Sequence, residues 1–314
     1  MKLIEPYVTI IHQEDPLIHI EKIGRTCYKS MSDFTHETSI KFFKGLVNSG
    51  HHSVLEHATF IFKVDLINLA QAERLSILNS KYLNWTQTHD PLNSSVNRDR
   101  VFVSGNLRAI KESGCLGLMH TLCKVYPDME CYFRISGTKS LGSYYMSPFT
   151  LIPRMSFISS NPNKQEIDAH LYTSIAFLTD RGVTHEMVRH RPASYSQEST
   201  RYCNYSKEKF GSELEFIRPA NYDDWKSSQK ISYERSLKVA ESVYIDLIEQ
   251  GVKPQFARGV LPTDVRTRIV MTANHKEWEH FFNLRSKGTT GSPHPNMKKV
   301  ADMAFDSYYE YNKI

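Results

Sequence analysis

The chain carries two hydrophobic periods and loses both between residues 67 and 168. Before that stretch, Ile40, Phe43, Leu46 and Val47 recur at helical spacing over residues 37 to 49, and Gly50 offers a stop. Phe60, Phe62, Val64 and Leu66 then alternate with Thr59 and Lys63, the pattern of a half-buried strand. After it, Leu171, Thr173, Ile175 and Phe177 alternate with Tyr172 and Ser174 over residues 170 to 178. A first strand is expected around Val8 to Ile11. A long amphipathic helix is expected over about 229 to 250, with Tyr233, Leu237, Ala240, Tyr244 and Leu247 on one face. Pro254 can open a further short helix, and others are expected around His275 to Arg285 and Pro295 to Tyr311. Helices and strands mix without βαβ alternation, so the expected fold class is α+β, a mixed sheet flanked by helices. The irregular stretch reads as an insertion within one domain spanning 1–314. It holds a helix near Leu107 to Val125 and aromatic, strand-like pieces near Tyr132 and from Tyr144 to Ile158.

Hydrophobic residues at 40% and charged residues at 23% are ordinary for a soluble globular protein. A formal charge of +5 is too mild to imply nucleic acid and suits a few anionic ligands equally well. No stretch reaches the roughly 20 apolar residues that span a bilayer. The N-terminus acquires acids too early for a signal peptide, so a cytoplasmic protein with no membrane partner is expected. Five cysteines without a Cys-x-x-Cys pair fit neither a disulfide framework nor a zinc knuckle.

From Arg189 to Arg201 the chain reads RHRPASYSQESTR, its densest run of anion-binding groups. Arginine offers a rigid fork of donors that matches phosphate and stays charged. His190, between two arginines, is biased toward its neutral form. Asp180-Arg181-Gly182 makes a turn, and Thr184 can cap a short helix, HEMVRH, that delivers Arg189 to Arg191. The plain alternative is a solvated basic helix end. Arg258 and Arg285 sit among apolar neighbours, Phe256, Val260 and Leu261 in one case and Phe281, Phe282 and Leu284 in the other. Buried arginines usually face a carboxylate or an anionic ligand. Either a shared anion pocket or structural ion pairs would account for them.

HEMVRH does not make a zincin site, because its second histidine falls five residues after the first and Arg189 takes the ligand position. No metal is expected. His57, beside a strand, reads as a structural histidine. There is neither GxGxxG after a strand nor a P-loop, since GTTGSP at 288 to 293 lacks the lysine. Ser199 and His190 lack the nucleophile elbow and orienting carboxylate of a Ser-His-Asp triad.

Arg189-His190-Arg191, seven residues and then Ser199, followed by Arg201-Tyr202, resembles the defining motif of the flavin-dependent thymidylate synthases. GHHSVLEHATFIF (50–62) and RTCYKS (25–30) resemble N-terminal segments of that family. LIEQGVKPQFARGVLP (247–262), TANHKEWEHFFNLR (272–285) and HPNM (294–297) are similar to its C-terminal pattern, in order.

The resemblance implies reductive methylation of dUMP to dTMP, with methylene-tetrahydrofolate giving the carbon and NADPH reducing a bound FAD. It implies flavin contacts at His51, Ser53, Arg189, His190, Arg191, Asn274 and His294. It implies nucleotide contacts at Glu186, Glu198, Ser199, Arg201, Arg258 and Arg285, with Arg285 as the catalytic residue that activates the uracil ring. Ser199 is expected to bind phosphate rather than act as a nucleophile, because no base is arranged to activate it. The family also implies a homotetramer with shared active sites. The chain departs from the pattern in its long 67–168 segment, in Glu186 where glutamine is common, and in Lys276 and His280. Two other readings stand beside this one. The basic segment with Tyr195, Tyr202 and Tyr205 could bind RNA or single-stranded DNA, or the chain could be a relative that keeps FAD without turnover.

Overall fold

The computed structural model describes residues 1–27, 33–89, 99–133, 147–199 and 213–312. The chain opens with β1 (Lys2–Ile4) and β2 (Tyr7–Ile11), then α1 (Pro16–Thr26) and α2 (His36–Ser49). Asp15 caps α1 by accepting from the Leu17 and Ile18 amides at 2.8 and 2.9 Å. Gly50 closes α2 at φ 73°, a left-handed conformation that costs glycine least. A 3-10 segment, His52–His57, leads into β3 (Thr59–Val64) and α3 (Gln71–Leu78). Next come β4 (Asn84–His89), β5 (Asp99–Asn106), α4 (Leu107–Ser113), α5 (Leu116–Val125), α6 (Glu130–Phe133), β6 (Phe149–Ile152), α7 (Arg154–Ser159) and α8 (Lys164–His170). The C-terminal half holds β7 (Tyr172–Asp180), α9 (Arg181–Met187), β8 (Ser194–Gln197), β9 (Glu215–Ile217), α10 (Ser227–Glu249) and α11 (Pro254–Ala257). It ends with β10 (Arg266–Asn274), α12 (His275–Arg285) and α13 (Pro295–Asn312).

The fold is α+β. One antiparallel sheet runs β2-β7-β10-β8 and a second runs β4-β5-β3-β6. Parallel pairing among the described residues is confined to the two-stranded β1–β9 sheet. The central strand β10 has no counterpart in the sequence reading. It is paired on both edges and buried on both faces from Ile269 onward, so it shows no period-two alternation.

Helices α12 and α13 cover the first sheet with Trp278, Phe281, Phe282 and Tyr308, all at most 1% exposed. The Trp278 indole N–H donates to the Thr173 carbonyl at 3.0 Å, so this large side chain is buried with its polar atom satisfied. A second core joins α1, α2 and β3 to the residues of β5, α4, α5 and α6. β3 is flanked by β5 and β6, so the stretch of lost periodicity folds around an existing strand.

A buried polar row ties the two halves together. His19 Nε2 lies 3.1 Å from Ser174 Oγ, which lies 2.6 Å from Thr272 Oγ1. Thr272 Oγ1 lies 2.7 Å from His57 Nδ1, and His57 Nε2 lies 3.0 Å from Ser196 Oγ. Burial pushes the imidazoles down to about 4 for His19 and about 3 for His57, so both are neutral and can donate at one nitrogen and accept at the other. His57 is thus the satisfied structural histidine that its setting suggests.

Several elements differ from the sequence reading. Tyr132, expected on a strand-like piece, lies in the helix α6. Of the piece expected up to Ile158, only Phe149–Ile152 is strand among the described residues, with Ile158 in α7. The helix before Arg189 starts at Arg181, with the Asp180 carboxylate accepting from the Val183 amide at 2.7 Å, and it ends at Met187. Arg189 to Arg191 therefore sit in the turn between α9 and β8. The helix expected over Leu107 to Val125 breaks at Gly114, at φ 71°. His170 closes α8, so the strand starts at Tyr172.

Candidate active site

The turn from Val188 to Ala193 alternates its side chains. Arg189 and Arg191 are exposed, and His190 between them is 7% exposed. Tyr195 fixes the turn, its hydroxyl donating toward the Met187 and His190 carbonyls at 2.8 and 2.9 Å. The Tyr195 ring is itself partly buried against the core of the first sheet. Tyr202 and Tyr205, the other aromatics of a nucleic-acid reading, lie outside the described residues.

His190 is where the turn meets α12. Arg285 Nε donates to His190 Nε2 at 2.9 Å, and Arg285 Nη1 pairs with Glu186 Oε2 at 2.8 Å. The His190 ring also packs against Phe281, with centroids 5.0 Å apart, and lies 5.9 Å from the His280 ring. Burial first, then the charges of Arg285, His280 and Arg189, pushes the imidazole down to about 4. The neutral form expected from its flanking arginines is present, and desolvation is its larger cause. Glu186, anticipated as a nucleotide contact, here holds the guanidinium, leaving Nη2 of Arg285 without a hydrogen bond among the described residues.

At the other end of α12 lies a cleft of about 570 Å3. Arg191, Ser194 and Asn274 line one side of it, and Tyr82, Asn84 and Arg108 line another. Asn274 caps α12 by accepting from the Glu277 amide at 3.1 Å, so the positive end of that helix opens toward the cleft. Glu56 crosses the floor, taking a hydrogen bond from Ser194 Oγ at 3.3 Å and pairing with Arg108 Nη1 at 2.8 Å. Asn84 Nδ2 donates to the Tyr172 hydroxyl at 2.6 Å. Glu56, Tyr82, Asn84 and Arg108 are absent from the sequence-derived site, because nothing local marks them and only the sheet pairing brings them in.

The remaining expected residues fall elsewhere in the chain. His51, just before the 3-10 segment, and Ser53 on it are exposed and outside the cleft lining. His294 is exposed at the start of α13, its Nδ1 3.3 Å from the Asn296 amide. Glu198 is buried and paired with Arg266 Nη1 at 2.7 Å. The Ser199 amide donates to the Cys27 carbonyl at 3.0 Å. Arg201 lies outside the described residues. The expectation that Arg258 sits in an apolar burial site is corrected: it lies on the exposed turn Arg258–Val260, and its neighbour Phe256 is itself 67% exposed. His185 of HEMVRH is exposed, while His190 gives its lone pair to Arg285.

The Thy1 family, thymidylate synthase complementing protein, matches residues 9–79 and 163–310. The chain belongs to this family, the flavin-dependent thymidylate synthases. The flavin-dependent thymidylate synthase of Geobacter sulfurreducens is 34% identical over 105 residues, covering 33% of this chain and 43% of that one. That of Pyrococcus furiosus is 42% identical over 108 residues, covering 33% of this chain and 42% of that one. In both cases the match spans less than half of the relative's length. Among solved structures, the UMP/dUMP methylase PolB from Streptomyces cacaoi bound with 5-Br dUMP aligns over 99% of this chain and 93% of that one, at 14% identity and a TM-score of 0.41. The family match leaves out residues 80–162, a narrower insertion than lost periodicity suggests, so α3 falls within the matched part. No helix among the described residues is long and apolar enough to cross a membrane.

Proposed function

We propose that the chain is a single catalytic domain that converts dUMP to dTMP by reductive methylation, with methylene-tetrahydrofolate as carbon donor, FAD as bound cofactor and NADPH as reductant. The observation that carries this reading is the Arg285–His190–Glu186 constellation, where an arginine is held at two of its nitrogens beside a neutral imidazole. Carbon 5 of uracil is a poor nucleophile. A fixed guanidinium stabilises negative charge on the ring and so raises electron density at that carbon. Because Nε and Nη1 are already engaged, Nη2 can meet the pyrimidine without reorganising the side chain. Ser199 and Arg201, with Arg258, bind the phosphate.

The cleft's donor set suits a flavin dinucleotide. Arg191 has no ion pair among the described residues, Asn274 and Asn84 offer amides, and the α12 N-terminus adds its dipole. Its volume falls in the range of ligand pockets, roughly 300 to 1,000 Å3. When bound, the flavin supplies hydride transfer. His190, Arg191 and Asn274 hold it in this reading, with Arg189, His51, Ser53 and His294 completing the site.

Self-association as a homotetramer with shared sites finds support in an apolar stripe. Ile231, Val239 and Val243 lie on one exposed face of α10, and Phe256 and Val260 on the segment packed beside it are exposed too. Contacts from a second copy would bring exposed residues such as Arg258 and His51 into a site that one copy leaves incomplete.

The test is release of tritium from dUMP labelled at carbon 5 by purified protein with FAD, methylene-tetrahydrofolate and NADPH, followed by dTMP detection. Flavin absorbance in the purified protein, with dTMP formed only when all components are present, is expected. Colourless protein that neither binds flavin nor responds to dUMP would overturn the reading. Bound FAD without dTMP would mark a relative lacking turnover.

A further inference from the structure

The segment outside the family match, residues 80–162, includes the short turn before β4. That turn, Lys81 to Leu83, is seated by Gly105 of β5. A Cβ there would stand 2.5 Å from Leu83 Cδ2 and 3.2 Å from the Tyr82 carbonyl oxygen, so a larger residue would push the Leu83 side chain aside and press on the turn. The approach places Lys81 and Tyr82 on the wall of the cleft that also contains Arg191. Both side chains are exposed, Tyr82 at 51%. Lys81 makes no ion pair among the described residues and lies over the Tyr82 ring at 5.4 Å. A free ammonium and an aromatic face thus stand in the same cleft as the Arg191 guanidinium, which also has no ion pair among the described residues.

We propose that Lys81 and Tyr82 bind the adenosine diphosphate half of the flavin dinucleotide, making the inserted segment a wall of the cofactor site. The inference rests on the functional reading above and follows from the length of α12. Its Arg285 end carries the guanidinium assigned to the pyrimidine, so the reactive flavin ring belongs there. Asn274 marks the other end, about 16 Å away for an 11-residue helix. A dinucleotide cofactor is elongated, with its reactive ring at one end and adenosine at the other. The cleft at the Asn274 end therefore receives the far half. Lys81 and Arg191 supply positive charge for the diphosphate, and Tyr82 supplies a face for the adenine.

The experiment is flavin titration of the full chain, freed of cofactor by dialysis and followed by flavin fluorescence, with FAD and FMN compared. FMN lacks the adenylate half. For Lys81→Ala and Tyr82→Ala the FAD Kd is expected to rise at least about tenfold while the FMN Kd moves less than about twofold. Lys81→Arg should restore FAD binding. Unchanged FAD affinity in both variants, or equal losses for FAD and FMN, would overturn the proposal. A raised requirement for methylene-tetrahydrofolate with the FAD Kd intact would also overturn it, assigning the wall to the folate. If the parent chain binds neither flavin, the functional reading itself fails. Parent binding with unaltered variants sinks only this inference.

Discussion

Arg285 gives its Nε–H to Nε2 of His190 across 2.9 Å, so the imidazole carries its own proton on Nδ1 and stays uncharged. The pairing joins the last turn of α12 to the turn after α9, two segments 95 residues apart in sequence. A protonated His190 would have no lone pair for the guanidinium and would repel it.

Arg285→Ala should therefore lower kcat by about a hundredfold or more, the range seen for losing a preorganised charge-stabilising donor. Flavin retention, read from absorbance after gel filtration, should change far less. Equal losses of turnover and flavin would show that Arg285 serves the cofactor instead.

Glu186→Gln keeps an oxygen that can accept from Arg285 Nη1, whereas Glu186→Ala leaves that nitrogen without its partner. Turnover is expected to fall at least about tenfold in the alanine variant and only about threefold in the glutamine one. Steady-state kinetics on both decide it, and a glutamine variant as damaged as the alanine one would mean that the carboxylate's charge is what matters.

Ser199→Ala should raise the dUMP KM about tenfold, the worth of one hydroxyl bond to a phosphate, with measurable turnover remaining. The backbone position is secured by the bond from the Ser199 amide to Cys27, so the loop should survive the change. Complete inactivation with normal dUMP binding would point to nucleophilic catalysis.

Stability should fall on mild acidification. His19, His57 and His170 have folded values pushed down by burial from 6.5 to about 4, 3 and 3. The unfolded chain binds protons that the folded chain refuses, so the contribution of these groups is complete above pH 6.5 and is lost as pH falls toward 4 and 3. The slope approaches about 1.4 kcal/mol per pH unit for each histidine. Urea midpoints between pH 7 and pH 5 measure it, and a flat profile would mean that the imidazoles are hydrated.

Placing aspartate at Ile231 and Val239 together should shift the gel-filtration elution of the protein toward a single copy, since both side chains are exposed on one face of α10. An unchanged elution volume would clear that face of any role in assembly.

Much of the frame was legible in the chain. The helices at 275–285 and 227–249 and the strand from Thr59 carry readable periods, and Gly251 follows the end of the longer helix as its sequence suggests. β10 escaped because a strand enclosed on both edges and both faces has no polar side to alternate with. β4 and β5 escaped because their role is set by pairing with β3 rather than by their own pattern. In the site, the motif gave His190 and the helix gave Arg285, but their direct pairing, with Glu186 as a third member, is a tertiary fact. Arg258 misled, because apolar neighbours in sequence are no guarantee of burial when those neighbours are themselves exposed.

The hydroxyls of Ser174 and Thr272 and the ring of His57 each have a single proton to share. Their row can be threaded in only two ways, every donor facing one direction or every donor facing the other. A slip of β10 by one position would swing Thr272 to the opposite side of its sheet and leave Nδ1 of His57 without its partner in a dry interior. The row thus acts as a key that fits one alignment, and it holds the Ser194 strand and the Glu56 turn in step on either side of the cleft.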